Sequence, residues 1–173
     1  MDKIEIEKFA KDYALELESY INSRKGVWTT FKLTQIKLDW SPHRVTSRGG
    51  WYTSGPGINL AMNRYGTVSK LKAFRVYEYA SFDKDPVIGG FFTKDKNDGL
   101  RMIICHEVAH AAQFFFSRMK YIRTTAHDDI FKDEYRALRS RFLNHTLPNQ
   151  EETAKVFAQQ ASQDLNNVAY SEL

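Results

Sequence analysis

The sequence predicts an α+β fold. Three observations predict it: an amphipathic helical pattern opens the chain, β-branched and aromatic segments punctuated by glycine and proline follow to about residue 93, and a helical period returns from about Asp98. The order is helix, strands, then helices. A small mixed or antiparallel sheet is expected to pack on a buried helix.

The first helix is expected over 3–22, where Ile6, Phe9, Tyr13, Leu17 and Tyr20 recur at three- and four-residue steps. The stretch from Asn22 to Gly26 ends it. Strands are expected within 29–93. Ile36, Leu38 and Trp40 alternate with Lys37 and Asp39, as in a half-buried strand, and Ser41-Pro42 closes it. Trp51-Tyr52-Thr53 and Ile58 to Met62 read as short strands, with Arg48-Gly49-Gly50 and Ser54-Gly55-Pro56-Gly57 as the turns of an antiparallel meander. Residues 73–82 and 87–93 read as a hairpin, with Gly89-Gly90 weakening its second arm or marking a bulge. The next helix, over 98–119, is apolar on nearly all sides and therefore buried. A helix over 127–144 carries the stripe Phe131, Tyr135, Leu138 and Phe142. A last helix, over 149–168, opens on a capping box of Asn149 and Glu152. Together they make one domain, 1–173.

With 173 residues the chain can bury a core without disulfides. Hydrophobic residues at 42% and charged residues at 27% exclude a disordered or collagen-like chain. No apolar run approaches the ~20 residues of a membrane span, and the charged N-terminus has no apolar segment of the signal-peptide kind. No membrane partner is expected. One cysteine, Cys105, fits a reducing compartment, so a cytoplasmic location is expected. Its thiol reads as core. The net charge of +4 is spread along the chain, which favours a solvated surface over a concentrated basic patch.

The chemistry sits in His106-Glu107-Val108-Ala109-His110, an HExxH. Residues four apart share a helix face, so both imidazoles can reach one ion. Glu107, one residue on and about 100° round the helix, can touch a water beside that ion without having to ligate it. This is the metalloprotease arrangement, with Glu107 as general base. A catalytic zinc needs a third protein ligand and an open position. His127, 17 residues past His110 at the expected start of the next helix, is the first candidate. Glu134, Asp128 and Asp129 are carboxylate alternatives. His43 reads as surface, and His145 as the end of a helix, where a cationic side chain suits the dipole.

The pair HEVAH and HDDIFKDEYRALR resembles the SprT-like zinc metalloproteases. In that family a third zinc histidine opens a helix after HExxH, as HGxxF with basic residues following; His127, Phe131 and Arg136 fall at matching places. Trp40-Ser41-Pro42-His43-Arg44, Gly49-Gly50 and Ile58-Asn59-Leu60 resemble the upstream part of the pattern more loosely. The resemblance covers about residues 1–143 and implies a zincin-like fold with Zn2+ on His106, His110 and His127. Asp128 and Asp129 replace the family's small residues, 64–97 is longer than its counterpart, and no cysteines are present for the C-terminal zinc ribbon that some members carry.

The expected function is zinc-dependent endopeptidase activity on protein substrates. The resemblance adds DNA-bound or DNA-crosslinked proteins as candidate substrates, with DNA as a candidate partner. The alternative is a non-catalytic zinc-stabilised module that binds nucleic acid or protein. Tyr121, Arg123 and Tyr135 are candidate oxyanion donors. An extended peptide is expected along an exposed strand edge, with the hairpin at 74–92 as the candidate for that edge or for a cleft rim.

Overall fold

A computed structural model of the chain describes residues 2–26, 30–44, 46–63, 74–76, 78, 84–85, 87–93, 95–142, 155 and 158. Its architecture is α+β. Helix α1 spans Lys3–Lys25 and strands β1, β2 and β3 span Gln35–Asp39, Arg48–Tyr52 and Gly55–Ala61. Strands β4 and β5 span Phe74–Val76 and Phe91–Thr93, followed by helices α2 over Lys96–Met119 and α3 over Asp129–Phe142. Among the described residues no helix is long and apolar enough to cross a membrane.

Helix α1 starts at a capping box in which Asp2 and Glu5 satisfy each other's backbone amides, and it stops at Gly26, whose φ of 77° suits glycine. It runs three residues past the expected end. Ile6, Ala10, Tyr13, Ala14, Leu17 and Ile21 form its buried stripe. Polar ties hold its outer face. Asn22 exchanges two 2.8 Å bonds with the backbone of Phe31, and Glu18 accepts from the Leu33 amide at 2.6 Å. Arg24 and Lys25 pair with the buried Glu134 of α3 at 3.1 and 2.5 Å. Glu134 is thereby an anchor between helices rather than a ligand.

The three-stranded sheet is mixed, not an antiparallel meander. Its order is β1-β3-β2, with β1 parallel to β3 and β2 antiparallel to it. The glycines expected in turns lie inside strands. Gly49 and Gly50 belong to β2, Gly55 and Gly57 to β3, and the turn is Thr53-Ser54 alone. Close approach of backbones explains Gly49 and Gly57. A Cβ on Gly49 would stand 1.8 Å from the carbonyl oxygen of Glu107 in α2, and one on Gly57 would stand 2.8 Å from that of Gln35 in β1. Of the expected hairpin the described residues show β4 and β5, paired from Phe74↔Thr93 to Val76↔Phe91. Residues 77, 79–83 and 86 lie outside the described residues, as does the helix expected at 149–168 apart from the helical Lys155 and Ala158.

Helix α2 runs through the middle, buried on most sides between the sheet, α1 and α3. Phe31, Ile58, Leu60, Met102, Ile104, Val108, Tyr135 and Leu138 are fully buried around it. Helix α3 begins at Asp129, two residues later than expected. Asp128 precedes it, accepting from the Phe131 amide at 3.0 Å, so that acid serves as an N-terminal cap. Gly49→Ala is expected to cost about 3 kcal/mol of unfolding free energy. Gly50→Ala, whose Cβ would meet Phe114 at an ordinary 3.7 Å, should stay within about 1 kcal/mol of wild type. Urea denaturation of both variants measures the difference, and equal stabilities would mean that β2 does not rest on α2 at Gly49.

Candidate metal centre

His106 and His110 project from one face of α2, and the chain returns after α2 to bring His127 opposite them. The ligand nitrogens of the three histidines lie within 4.8 Å of one another. The Nε2 atoms of His106 and His127 are 3.3 Å apart. These three residues are close enough to hold a metal ion. His127 takes φ of 57°, a left-handed conformation uncommon for a residue with a side chain. Its ring lies against those of α2, with centroids 5.3 Å from His106 and 4.8 Å from His110. The carboxylate alternatives do not converge here: Asp129 is exposed, Asp128 caps α3, and Glu134 pairs with α1. His43 is exposed, as expected, and His145 lies outside the described residues.

The second nitrogen of each helix histidine is committed elsewhere. His106 Nδ1 donates to Glu78 Oε2 at 2.7 Å, and Tyr135 Oη donates to Glu78 Oε1 at 2.5 Å. The Glu78 side chain is 3% exposed. His110 Nδ1 donates to Gln113 Oε1 at 2.9 Å. Gln113 Nε2 donates in turn to Thr124 Oγ1 and the Thr125 carbonyl, both at 2.7 Å, and Thr124 donates to Asp128 Oδ2 at 2.6 Å. With Nδ1 protonated, each ring offers the lone pair of Nε2 to the centre, the arrangement that orients metal-binding imidazoles. Phe131 stacks on His110 with centroids 4.2 Å apart and fixes its plane.

Electrostatics follow from burial and these partners. Burial lowers the pKa of His110 to about 4, and its histidine neighbours add to the effect. His127 is lowered for the same reasons. For His106 burial also acts downward, but the Glu78 carboxylate outweighs it and the net shift is upward. Glu107 is 7% exposed, and burial pushes its carboxyl above the usual range against the pull of His106 and the Gly49 amide. The Gly49 N–H donates to Glu107 Oε2 at 2.5 Å. The carboxylate thus sits at the wall of a cleft of about 260 Å3 lined by Gly49, His106, Glu107, His110, Phe114 and His127.

Sequence reasoning missed Glu78 and Gln113. Gln113 lies three residues after His110 on the same helix face, a signal that was readable. Glu78 comes from the long 64–97 segment, and its partner is 28 residues away with no pattern to announce it. Tyr135, named as an oxyanion donor, is fully buried and gives its hydroxyl to Glu78. Tyr121 is 98% exposed. Cys105 is buried against the Tyr13 hydroxyl at 3.4 Å, and burial pushes its thiol up to about 12, so it is an inert core residue.

In comparisons with known proteins, no family model, no curated protein and no solved structure matches this chain significantly. What the site can do follows from its own geometry. Glu78→Gln is expected to weaken metal binding about tenfold and Glu78→Ala about a hundredfold, measured by competition with a chromophoric chelator. Unchanged affinity in both would show that Glu78 does not orient His106.

Proposed function

We propose that the chain is a zinc-dependent endopeptidase with a zincin-like fold, of the SprT-like kind that its sequence resembles. The observation that carries this reading is the convergence of three imidazoles on one point with a buried glutamate beside it. Two nitrogens that each bind one tetrahedral zinc at 2.0–2.1 Å stand about 3.3 Å apart. The His106 and His127 Nε2 atoms have that separation. Three neutral imidazoles leave one tetrahedral position open, as a catalytic centre requires. Zinc held there would act as a Lewis acid, lowering the pKa of a water toward about 7 and polarising a carbonyl.

The chain's own residues supply the rest. Glu107 accepts a proton from a water in the cleft and returns it to the leaving amine. Glu78 and Gln113 keep Nδ1 protonated on His106 and His110, so both rings stay in the ligating tautomer. The edge we assign to the substrate is β2, whose Arg48 and Gly49 line the cleft. Pro56 gives its carbonyl to Thr34 on the β1 side, so β3 uses alternate residues for its two neighbours. Arg48, Gly50 and Tyr52 therefore bond to β3; on the other side the Gly49 N–H is held by Glu107 Oε2, and the Gly49 carbonyl and the backbone groups of Trp51 face outward. Among the described residues no strand pairs with that side. An extended peptide adding there lies along the cleft.

Metal analysis of the purified protein is expected to find one zinc per chain, lost in His127→Ala. Glu107→Gln should keep the zinc while cleavage of an unfolded protein such as casein falls at least about a hundredfold. Cleavage persisting in Glu107→Gln would rule out its role as base, and stoichiometric zinc with no cleavage by wild type would favour the non-catalytic zinc module. The narrower proposal, action on DNA-bound proteins, rests on the resemblance, and stimulation of casein cleavage by DNA in a salt-sensitive manner is its test.

A further inference from the structure

We propose that the pocket beyond Trp51 is a specificity subsite for an acidic peptide segment carrying a large apolar side chain. The location of the scissile bond rests on the peptidase reading above; the chemistry of the pocket does not. The pocket has a volume of about 510 Å3 and is lined by Trp51, Phe115, Arg118, Tyr121, Ile122 and Arg123, among others. It holds aromatic and aliphatic walls together with two guanidinium groups, and no acidic residue lines it. Trp51, Ile122 and Tyr121 are 40%, 51% and 98% exposed, an unusual concentration of large apolar side chains at the surface.

Its position relates it to the metal centre. Strand β2 and helix α2 lie side by side, and three contacts step outward along them. Gly49 meets Glu107, Gly50 faces Phe114, and Trp51 lies under the Arg118 guanidinium, 4.6 Å from the ring centroid. Gly49 and Phe114 line the metal cleft, whereas Trp51 and the next residue on α2, Phe115, line the pocket. Strand residues advance by about 3.3 Å, so the pocket opens about 7 Å along the edge from the cleft wall. A peptide paired with the Gly49 carbonyl and the backbone groups of Trp51, the Gly49 N–H staying with Glu107, places a side chain there two residues from the reacting bond. The aromatic walls suit a ring or a branched aliphatic chain. Arg118, stacked on Trp51, and Arg123 are placed to meet carboxylates on the flanking residues, since guanidinium groups bind carboxylates through paired donors.

Three fluorescein-labelled peptides, identical except for a central Asp-Phe-Asp, Asp-Ala-Asp or Lys-Phe-Lys, test this through cleavage rates and, separately, through binding anisotropy. Wild type is expected to favour Asp-Phe-Asp over each of the others by about fivefold or more. Arg118→Glu and Arg123→Glu should each reverse the charge preference, and Trp51→Ala should remove the preference for Phe over Ala. Two charge reversals on different segments guard against one failing to fold. Selective binding of Asp-Phe-Asp without cleavage would uphold the subsite and sink the peptidase reading. Cleavage with equal preference for all three, unaltered by the variants, would uphold the peptidase and sink the subsite. Absence of both binding and cleavage would overturn both, and a single-stranded oligonucleotide that binds this pocket more tightly than any of the peptides would overturn the subsite.

Discussion

The site depends on one close contact, the seating of Gly49 on the backbone of α2 at Glu107. Only a residue without a side chain can stand there, because a Cβ would overlap the Glu107 carbonyl. The contact fixes how near the sheet edge comes to the helix that carries the histidines. It also sets the Gly49 amide 2.5 Å from Glu107 Oε2. A carboxylate buried this deeply is costly without a donor, so the same contact that packs the fold holds the charged group in place. The outward edge of β2 then lies beside the cleft by construction, since its position is set by the glycine and not by a loop.

Helix α3 does the complementary work from the other side. It is amphipathic, and its buried face carries Phe131 against His110, Tyr135 on Glu78 and Leu138 in the core. Glu134 on the same helix pairs with Arg24 and Lys25 at the end of α1. A pair of this kind contributes little net stability but penalises any other docking of α3, because displacement would leave the carboxylate buried without a cation. Two histidines on one helix face occupy one side of an ion, so a third ligand must arrive from elsewhere. The left-handed turn at His127, two residues before α3, brings its ring beside the other two, and the cap formed by Asp128 holds the turn against the helix.

What the sequence made legible was what is local and periodic. The α+β order, the three long helices and the pairing of His106 with His110 all follow from spacing along one element. His127 was readable as the histidine nearest in sequence at a helix start, though its place beside His106 and His110 required the fold. The glycines of β2 and β3 were misread because turn chemistry and close packing favour the same residue. Only the neighbour's position tells them apart, and that neighbour is 58 residues away for Gly49 and Glu107. Parallel pairing of β1 with β3 was hidden for a similar reason: alternation fixes which face is buried and not which strand lies alongside. Glu78 was hidden because a single carboxylate in a long connecting segment has no local pattern to mark it.

The two helix histidines are held by unlike partners, and this gives the centre a direction. His106 donates to a buried carboxylate, which raises the electron density on its ring and shifts its pKa upward. His110 donates to a neutral amide and stays at about 4. The negative charge on its side stands two hydrogen bonds farther off, at Asp128, where Thr124 and Gln113 relay its influence. Asp128 is also the cap of α3. The orientation of His110 and the start of the helix that follows His127 are therefore set by one carboxylate, and neither can move without loosening the other. His106 is tied through Glu78 to Tyr135, about two turns farther along the same helix. Both histidines of α2 are thus braced, through different chemistry, against α3, so that the spacing of the three nitrogens is fixed by the packing of two helices.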